Sequence, residues 1–318
     1  GDGTGVRRRA LGTLVVVADD DRAAQVEAVC QRLAAAYPSR IVVFLVGRRE
    51  SIAASVFATC QRAPGGGPQV CGETIVLRGG EAHAEALPGL VLPLLLPDVL
   101  ATLWWDRAQP PGEAIVQSLL PQVDRGLLDV SRVPDGRCCL RLLTEQPRMA
   151  DLGWFGQHTW REAVAQFFDG QADVPQRLDR LEVVTRGGDG AGALFAGWLA
   201  GQLGWQPLER RTERHSRWRR PDGVEASVIL TAMGGNEGLW ATLLSSSELA
   251  GDWRVERPEA CPASLRLTAH CRDWCQMPSR LTLPPADAAE AILAALGRPV
   301  SNDARLRATR HAAWLLAV

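Results

Sequence analysis

The sequence predicts an α/β protein of two mixed-sheet domains, an N-terminal layered sandwich and a C-terminal α+β-like unit. Its 318 residues suit two domains. Apolar strand-like runs alternate with helical 3.6-residue patterns from residue 14 to about 147. Beyond residue 181 a second strand–helix start leads mainly into turn-separated strands. With 46% hydrophobic and 22% charged residues, the chain can bury a sizeable core, and disorder is excluded. The expected domains are 1–172 and 173–318.

The first unit opens on the short apolar strand Leu14–Val17, followed by Asp19, Asp20 and Asp21. An aspartate there can cap a helix from Arg22 to Tyr37, in which Val26, Cys30, Leu33 and Ala34 share a face. Pro38-Ser39 ends that helix, and Arg40–Val46 reads as a buried strand, a βαβ start with a parallel pair. Ser51–Arg62 and Gln69–Arg78 flank Pro64-Gly-Gly-Gly-Pro68 as a hairpin. A helix near Ala82–Leu95, a strand Val99–Trp105, a helix around Glu113–Leu120 and a strand Gly126–Ser131 complete the layer. A helix capped by Thr159 runs from Trp160 to Phe168, and Gly170–Arg177 reads as a linker. The second unit begins with strand Leu181–Thr185, a glycine loop and helix Ala193–Leu203. Strands over 206–219 and 223–232 follow, then strands near 252–257, 263–269 and 279–283, and closing helices at 285–296 and 302–316.

Charge and composition remove whole classes of function. All 35 basic residues are arginine, so Schiff-base chemistry, a lysine general base and a P-loop lysine are excluded. Against 36 acidic residues they leave a net charge of -1, with no global field for nucleic acid or an anionic membrane. The longest greasy run, Leu87–Trp105, is broken by Pro88, Pro93, Pro97 and Asp98, so no transmembrane span is expected. The opening GDGTGVRRRALG lacks an initiator Met and has no apolar stretch behind its arginines, as expected of a trimmed or processed end. The default localisation is cytoplasmic.

Few patterns carry chemistry. Gly188-Asp-Gly190-Ala-Gly-Ala193, between a strand and a helix, fits the dinucleotide pattern G-x-G-x-x-G/A, with Glu209 about 20 residues on. Glu209 sits at the start of its strand beside Arg210 and Arg211, and a plain strand-to-helix turn is the preferred reading. Cys261, His270, Cys271 and Cys275 form the one thiol cluster, readable as reduced thiols, a redox pair or a zinc site lacking the usual close pairs. Cys30, Cys60 and Cys71 read as core, and the adjacent Cys138 and Cys139 as reduced thiols. Asp19, Asp20 and Asp21 could hold Mg²⁺, although acids before a helix more often serve its dipole. No G-x-S-x-G elbow or H-E-x-x-H helix is present, so a catalytic set is lacking and neither metal nor cofactor is expected. The densest basic run, Arg210, Arg211, Arg214, Arg217, Arg219 and Arg220 with Trp218, suits an acidic protein surface or a solvated strand better than nucleic acid. Eleven tryptophans stand against one tyrosine, mostly as core and some as interface anchors.

A series of segments resembles the OpcA family, the glucose-6-phosphate dehydrogenase assembly proteins. They are Tyr37-Pro-Ser-Arg40, Cys71-Gly-Glu73, Leu95-Leu-Pro97-Asp98 with Leu103-Trp-Trp105, Asp124-Arg125 with Asp129-Val-Ser131, and Asp151 with Trp160-Arg-Glu162 and Phe168-Asp169. Ala196-Gly-Trp198-Leu-Ala200 with Leu203-Gly-Trp205 closes the series. The likeness is strong over about 40–206 and looser elsewhere. It implies a two-domain, non-catalytic protein of cyanobacteria and actinobacteria that binds glucose-6-phosphate dehydrogenase, promotes its active oligomer and raises its activity in the oxidative pentose phosphate pathway. It also implies redox tuning by thioredoxin, for which Cys261, Cys271 and Cys275 are the candidates. Contact candidates are Trp104, Trp105, Arg210, Arg211, Arg214, Arg217 and Trp218. The alternative is an NAD(P)-binding oxidoreductase-like protein using the glycine loop 187–193.

Overall fold

A computed structural model describes residues 11–62, 69–133, 136–235, 238–272, 274–285, 287–299 and 302–316. The chain forms two compact units, both α/β. The first comprises 1–133, 148–152 and 288–300, and the second 134–147, 153–287 and 301–318. Each is therefore built from several chain segments, unlike the contiguous division at 172/173. Helix α8 (Ala288–Leu296) explains one return, because its buried Ala289, Ile292 and Ala295 lie against helix α1 (Ala23–Ala36) of the first unit. Helix α4 (Gly136–Glu145) explains another, since it packs on helix α9 (Asp303–Leu316) of the second.

The first unit is a seven-stranded sheet. Strands β1 (Gly12–Asp19) and β2 (Arg40–Gly47) are unbroken apolar runs, buried on both faces as central parallel strands must be. They pair in parallel, as the βαβ reading requires. Strands β3 (Ala53–Arg62) and β4 (Gln69–Gly80) form the expected antiparallel hairpin, and β4 also pairs in parallel with β2. Strands β5 (Leu100–Asp106), β6 (Arg125–Leu128) and β7 (Met149–Asp151) extend the other side, giving the order β3-β4-β2-β1-β5-β6-β7. The six mutually parallel strands, numbered along the chain, run 3-2-1-4-5-6, the order of dinucleotide-binding folds.

The local corrections have local causes. The helix expected at 82–95 breaks into α2 (Glu81–Glu85), α3 (Leu87–Val91) and a 3₁₀ turn at Leu92–Leu94, because Pro88 and Pro93 each remove a backbone donor. The aspartate cap before α1 does not form: Asp20–Arg22 is a 3₁₀ turn, and Asp19 makes no capping bond. Helix α6 (His158–Gln166) follows α5 (Leu152–Gly156) and starts one residue before Thr159, which is buried inside it rather than capping it.

The second unit carries an eight-stranded sheet. Its strands are β8 (Arg180–Arg186), β9 (Gln206–Arg210), β10 (His215–Arg219), β11 (Glu225–Met233), β12 (Gly238–Ser246), β13 (Gly251–Glu256), β14 (Ser264–Cys271) and β15 (Trp274–Thr282). Their order is β15-β14-β13-β12-β8-β11-β10-β9, antiparallel throughout except for β8 beside β11. Burial alternates along these strands, so the sheet has one covered and one more open face. Helix α7 (Asp189–Gln202) and α9 pack on each other, and α7 lies on β8 and β11. Trp205, Trp218 and Trp253 are fully buried in this unit.

Candidate functional site

The glycine motif is not a loop. Helix α7 begins at Asp189, four residues earlier than its hydrophobic pattern suggests, with Gly188 as its N-cap. Gly190 and Gly192 are buried within its first turns. A Cβ at Gly192 would stand 2.7 Å from the Thr185 methyl, and one at Gly197 would stand 2.5 Å from the Ala308 carbonyl oxygen and 2.9 Å from the Ala312 nitrogen. These glycines let α7 approach β8 and α9 closely. The requirement is packing, and it does not favour the dinucleotide reading of 187–193. That reading looked to the wrong unit, since the nucleotide-type strand order belongs to the first.

In that first unit, ligands would enter where the chain reverses direction across the sheet, at the carboxyl ends of β1 and β5. The ends of four strands bring charged groups together there. Arg107, directly after β5 and only 6% exposed, donates Nε to Asp19 Oδ1 at 2.8 Å and both terminal nitrogens to Glu81, at 2.5 and 3.2 Å. The Ala108 N–H donates to the other Asp19 oxygen at 3.2 Å. Asp106, 3% exposed, receives Arg22 Nε at 3.2 Å and lies 3.3 Å from Arg132 Nε. Arg78 Nη1 reaches Asp20 Oδ1 at 2.9 Å. Burial pulls the Arg107 guanidinium down, but its bonds to Glu81 and Asp19 outweigh this and hold it above its ordinary value. Burial pushes the Asp106 carboxyl up, against the opposing pull of Arg132 and Arg22. Of this cluster the sequence marked only the three aspartates. The Mg²⁺ reading of them does not hold, because Asp19 and Asp20 are bound to arginines. Among the described residues no group of three or more His, Cys, Asp or Glu could hold a metal ion.

The contact candidates separate by burial. Trp104, Trp105 and Trp218 are 1%, 4% and 0% exposed, so they are core and no partner can reach them on the folded surface. Trp105 donates Nε1 to the Gln109 carbonyl, and Trp218 donates to Ser216 Oγ. Large apolar rings in fully buried strands follow from the parallel layer and from the inward phase of β10, which a residue count cannot supply. Arg211 and Arg214 are exposed in the turn between β9 and β10, and Arg210 is half-buried at its start. Arg217 is held by Glu209 at 2.9 Å and by both oxygens of Glu225, leaving it little freedom for a partner. The sequence did not single out Val56 and Phe57, 63% and 56% exposed on the edge strand β3.

Of the redox candidates, Cys261 is exposed in the turn between β13 and β14, and Cys271 is half-buried over Gly251. Burial, with Asp252, pushes the Cys271 thiol up, which lowers its thiolate fraction. The β14–β15 register sets Cys271 opposite Trp274 and Cys275 opposite His270, so the two cysteines are not cross-strand partners. The Cys275 side chain lies outside the described residues. No helix among the described residues is long and apolar enough to cross a membrane.

A parallel sheet of nucleotide-binding order together with a largely antiparallel sheet defines a protein built on a two-domain dehydrogenase-like fold. Solved structures agree on the fold. A 3-ketoreductase from Actinomadura kijaniata, solved with NADP and TDP-benzene, matches with a TM-score of 0.53 at 16% identity over 96% of each chain. An oxidoreductase from Sinorhizobium meliloti matches with a TM-score of 0.52 at 11% identity over 96% of each chain. The family is set by sequence. Residues 30–145 match the glucose-6-phosphate dehydrogenase subunit N-terminal domain and 147–304 the corresponding C-terminal domain, so the chain belongs to the OpcA family. Proteins described as putative OxPP cycle protein OpcA are 33% identical in Synechococcus elongatus over 45% of this chain and 34% of that protein, and 27% identical in Nostoc punctiforme over 58% and 42%. The matches thus span about a third to two fifths of those relatives' length.

Proposed function

We propose that this protein is a non-catalytic activator and assembly factor of glucose-6-phosphate dehydrogenase, acting by binding that favours the enzyme's active oligomer. The observation that carries the reading is the pair of consecutive subunit domains matched over residues 30–145 and 147–304. An activator must bind the active state of its target more tightly than the inactive one, and about 1.4 kcal/mol of difference shifts the populations tenfold. The accessible surfaces suited to such a contact are the arginine turn with Arg210, Arg211 and Arg214, and the β3 edge with Val56 and Phe57. Arginine supplies bidentate contacts to carboxylates, and an exposed apolar edge marks protein-binding surface. Redox tuning with thioredoxin belongs to the same reading and would centre on Cys261, an exposed thiol among the described residues.

The test is an assay of glucose-6-phosphate dehydrogenase from the same organism with and without the full chain, under reducing and oxidising conditions, alongside size-exclusion chromatography. A lower KM or higher rate with co-elution is expected. Rates and elution unchanged in both redox states would overturn the proposal. Activation indifferent to oxidation would overturn its redox part alone.

A further inference from the structure

The strand order of the first unit implies a dinucleotide at the carboxyl ends of β1 and β5, and the residues there do not fit one. A pyrophosphate needs glycines between the first strand and first helix so that backbone N–H groups can approach it, and a helix N-terminus free of negative charge. Here that turn reads Val17-Ala18-Asp19-Asp20-Asp21-Arg22, and no glycine lies between Gly12 and Gly47. Three carboxylates stand where two phosphate charges would have to be received. The Ala23 N–H, at the start of α1, is already bonded to the Asp20 carbonyl. Further along, Gly47 leaves its Cβ position 3.2 Å from the Asp20 side chain, so the ends of β1 and β2 close on each other.

Arginines are present at this end of the sheet and could in principle receive phosphate. Four are committed instead, Arg22 and Arg132 to Asp106, Arg78 to Asp20, and Arg107 to Asp19 and Glu81, while Arg48 and Arg49, directly after β2, are exposed beside Glu50. Arg107 is placed decisively. It leaves the end of β5, binds the end of β1, and reaches Glu81 in α2, the helix that follows β4. Because β2 and β1 lie between β4 and β5, this one side chain crosses the mouth of the crevice. Counting Asp19, Asp20, Asp21, Glu50, Glu81 and Asp106 against Arg22, Arg48, Arg49, Arg78, Arg107 and Arg132, the end is balanced and carries no positive excess to attract a dinucleotide. A pocket lined by Thr13, Leu33, Tyr37, Leu100 and Thr102 lies at the amino ends of β1 and β5, the opposite end from such a ligand.

We infer that the first unit keeps the dinucleotide-binding topology but does not bind a dinucleotide, because the acidic, glycine-free turn after β1 gives a phosphate no seat and Arg107, bridging Asp19 and Glu81, closes the crevice as an internal clasp. The clasp holds together the ends of β1 and β5 and the start of α2, and an incoming phosphate would have to displace it while facing Asp19, Asp20 and Asp21. This bears on how the unit is stabilised and what it cannot use as a ligand, and it stands or falls apart from any effect on glucose-6-phosphate dehydrogenase.

The experiment titrates the full chain, with no dehydrogenase present, with NADPH, NADP⁺, NADH and NAD⁺. Calorimetry and quenching of tryptophan emission report binding, Trp105 lying 5.8 Å beneath the Arg107 guanidinium. No saturable signal is expected up to about 1 mM ligand. Saturable binding in the micromolar range would overturn the inference, most directly if Arg107→Ala abolished it. Thermal unfolding of Arg107→Ala and of Glu81→Gln, which cuts one arm at a position 63% exposed, tests the clasp. Both variants should melt lower, Arg107→Ala by more, and neither should gain nucleotide binding. An unchanged midpoint in both would overturn the clasp. If Arg107→Ala does not fold, Glu81→Gln alone decides.

Discussion

Gly197→Ala is the sharpest test of the claim that the glycines of α7 serve packing. In an open helix this change stabilises by up to about 1 kcal/mol, since alanine loses less conformational freedom than glycine. At Gly197 the added methyl meets the Ala308 carbonyl oxygen at 2.5 Å and the Ala312 nitrogen at 2.9 Å. Both are α9 backbone atoms, so no side-chain rotation relieves the clash and the helices must part. Overpacking costs roughly 1–3 kcal/mol, and rigid neighbours place this site at the upper end. Less the propensity gain, the net loss is about 2 kcal/mol, or roughly 4–8 °C of melting temperature for a unit of this size. Gly156→Ala is the internal control, because nothing lies within 4 Å of its Cβ position. The assay is calorimetric melting of both variants beside the parent chain. Gly156→Ala should hold or raise the midpoint while Gly197→Ala lowers it. If Gly197→Ala matched or exceeded the control, the close approach of α7 to α9 would be wrong.

The same helix pair should confer a pH dependence. Burial holds the His311 imidazole below its ordinary 6.5, with Arg307 and Arg310 adding to the effect and the bond to the Gly197 carbonyl opposing it. A depressed folded value means that His311 contributes fully above about pH 6.5 and loses that contribution as pH falls through the window beneath; His311→Gln should flatten the decline in midpoint over that window. Burial, with Glu27 adding, pushes the Cys30 thiol up to about 12, so at pH 8 roughly one molecule in ten thousand carries the thiolate. A disulfide reagent should therefore label Cys261 in the native protein and Cys30 only after unfolding, and rapid native labelling of Cys30 would contradict its burial. Arg211→Glu with Arg214→Glu should weaken the apparent affinity for glucose-6-phosphate dehydrogenase by about tenfold or more and reduce its salt dependence, without moving the melting temperature. An unchanged activation curve would remove the arginine turn from the contact surface.

How much of the fold could be read in the sequence depended on how strongly burial constrained each segment. β1 and β2 are central and covered on both faces, so nearly every residue is apolar and both the elements and their parallel pairing were legible. α4, β7 and β12 were missed. In α4 a short helix carries Arg137 and Arg141 among its leucines, and β7 has three residues, too few to show a period. β12 reads GLWATLLSS, an apolar stretch whose alternation is interrupted by a bulge between Leu239 and Ala241. The interleaving of the units was also hidden. The apolar face of α8 says that it must be covered, and nothing in its pattern says that the cover is α1, more than two hundred and fifty residues earlier.

The site was misread for a related reason. A glycine pattern between strand and helix records only that backbone or side chains approach closely, and phosphate and helix packing impose that demand equally. What separates them is the position of the motif in the sheet, and that depends on long-range pairing. Gly188–Ala193 follows β8, a strand flanked by the antiparallel β12 and the parallel β11, where no reversal of a parallel order exists. The reversal lies at β1 and β5, and the turn from β1 into α1 holds acids and no glycine. Local pattern and global topology thus sit in different units of one chain, and neither unit supplies both halves of a dinucleotide site. Such a chain keeps the packing of a dehydrogenase-like scaffold while its arginine turn and β3 edge remain available to a partner. That division is what the proposed role, modulating glucose-6-phosphate dehydrogenase rather than running a nicotinamide reaction, would require of the fold.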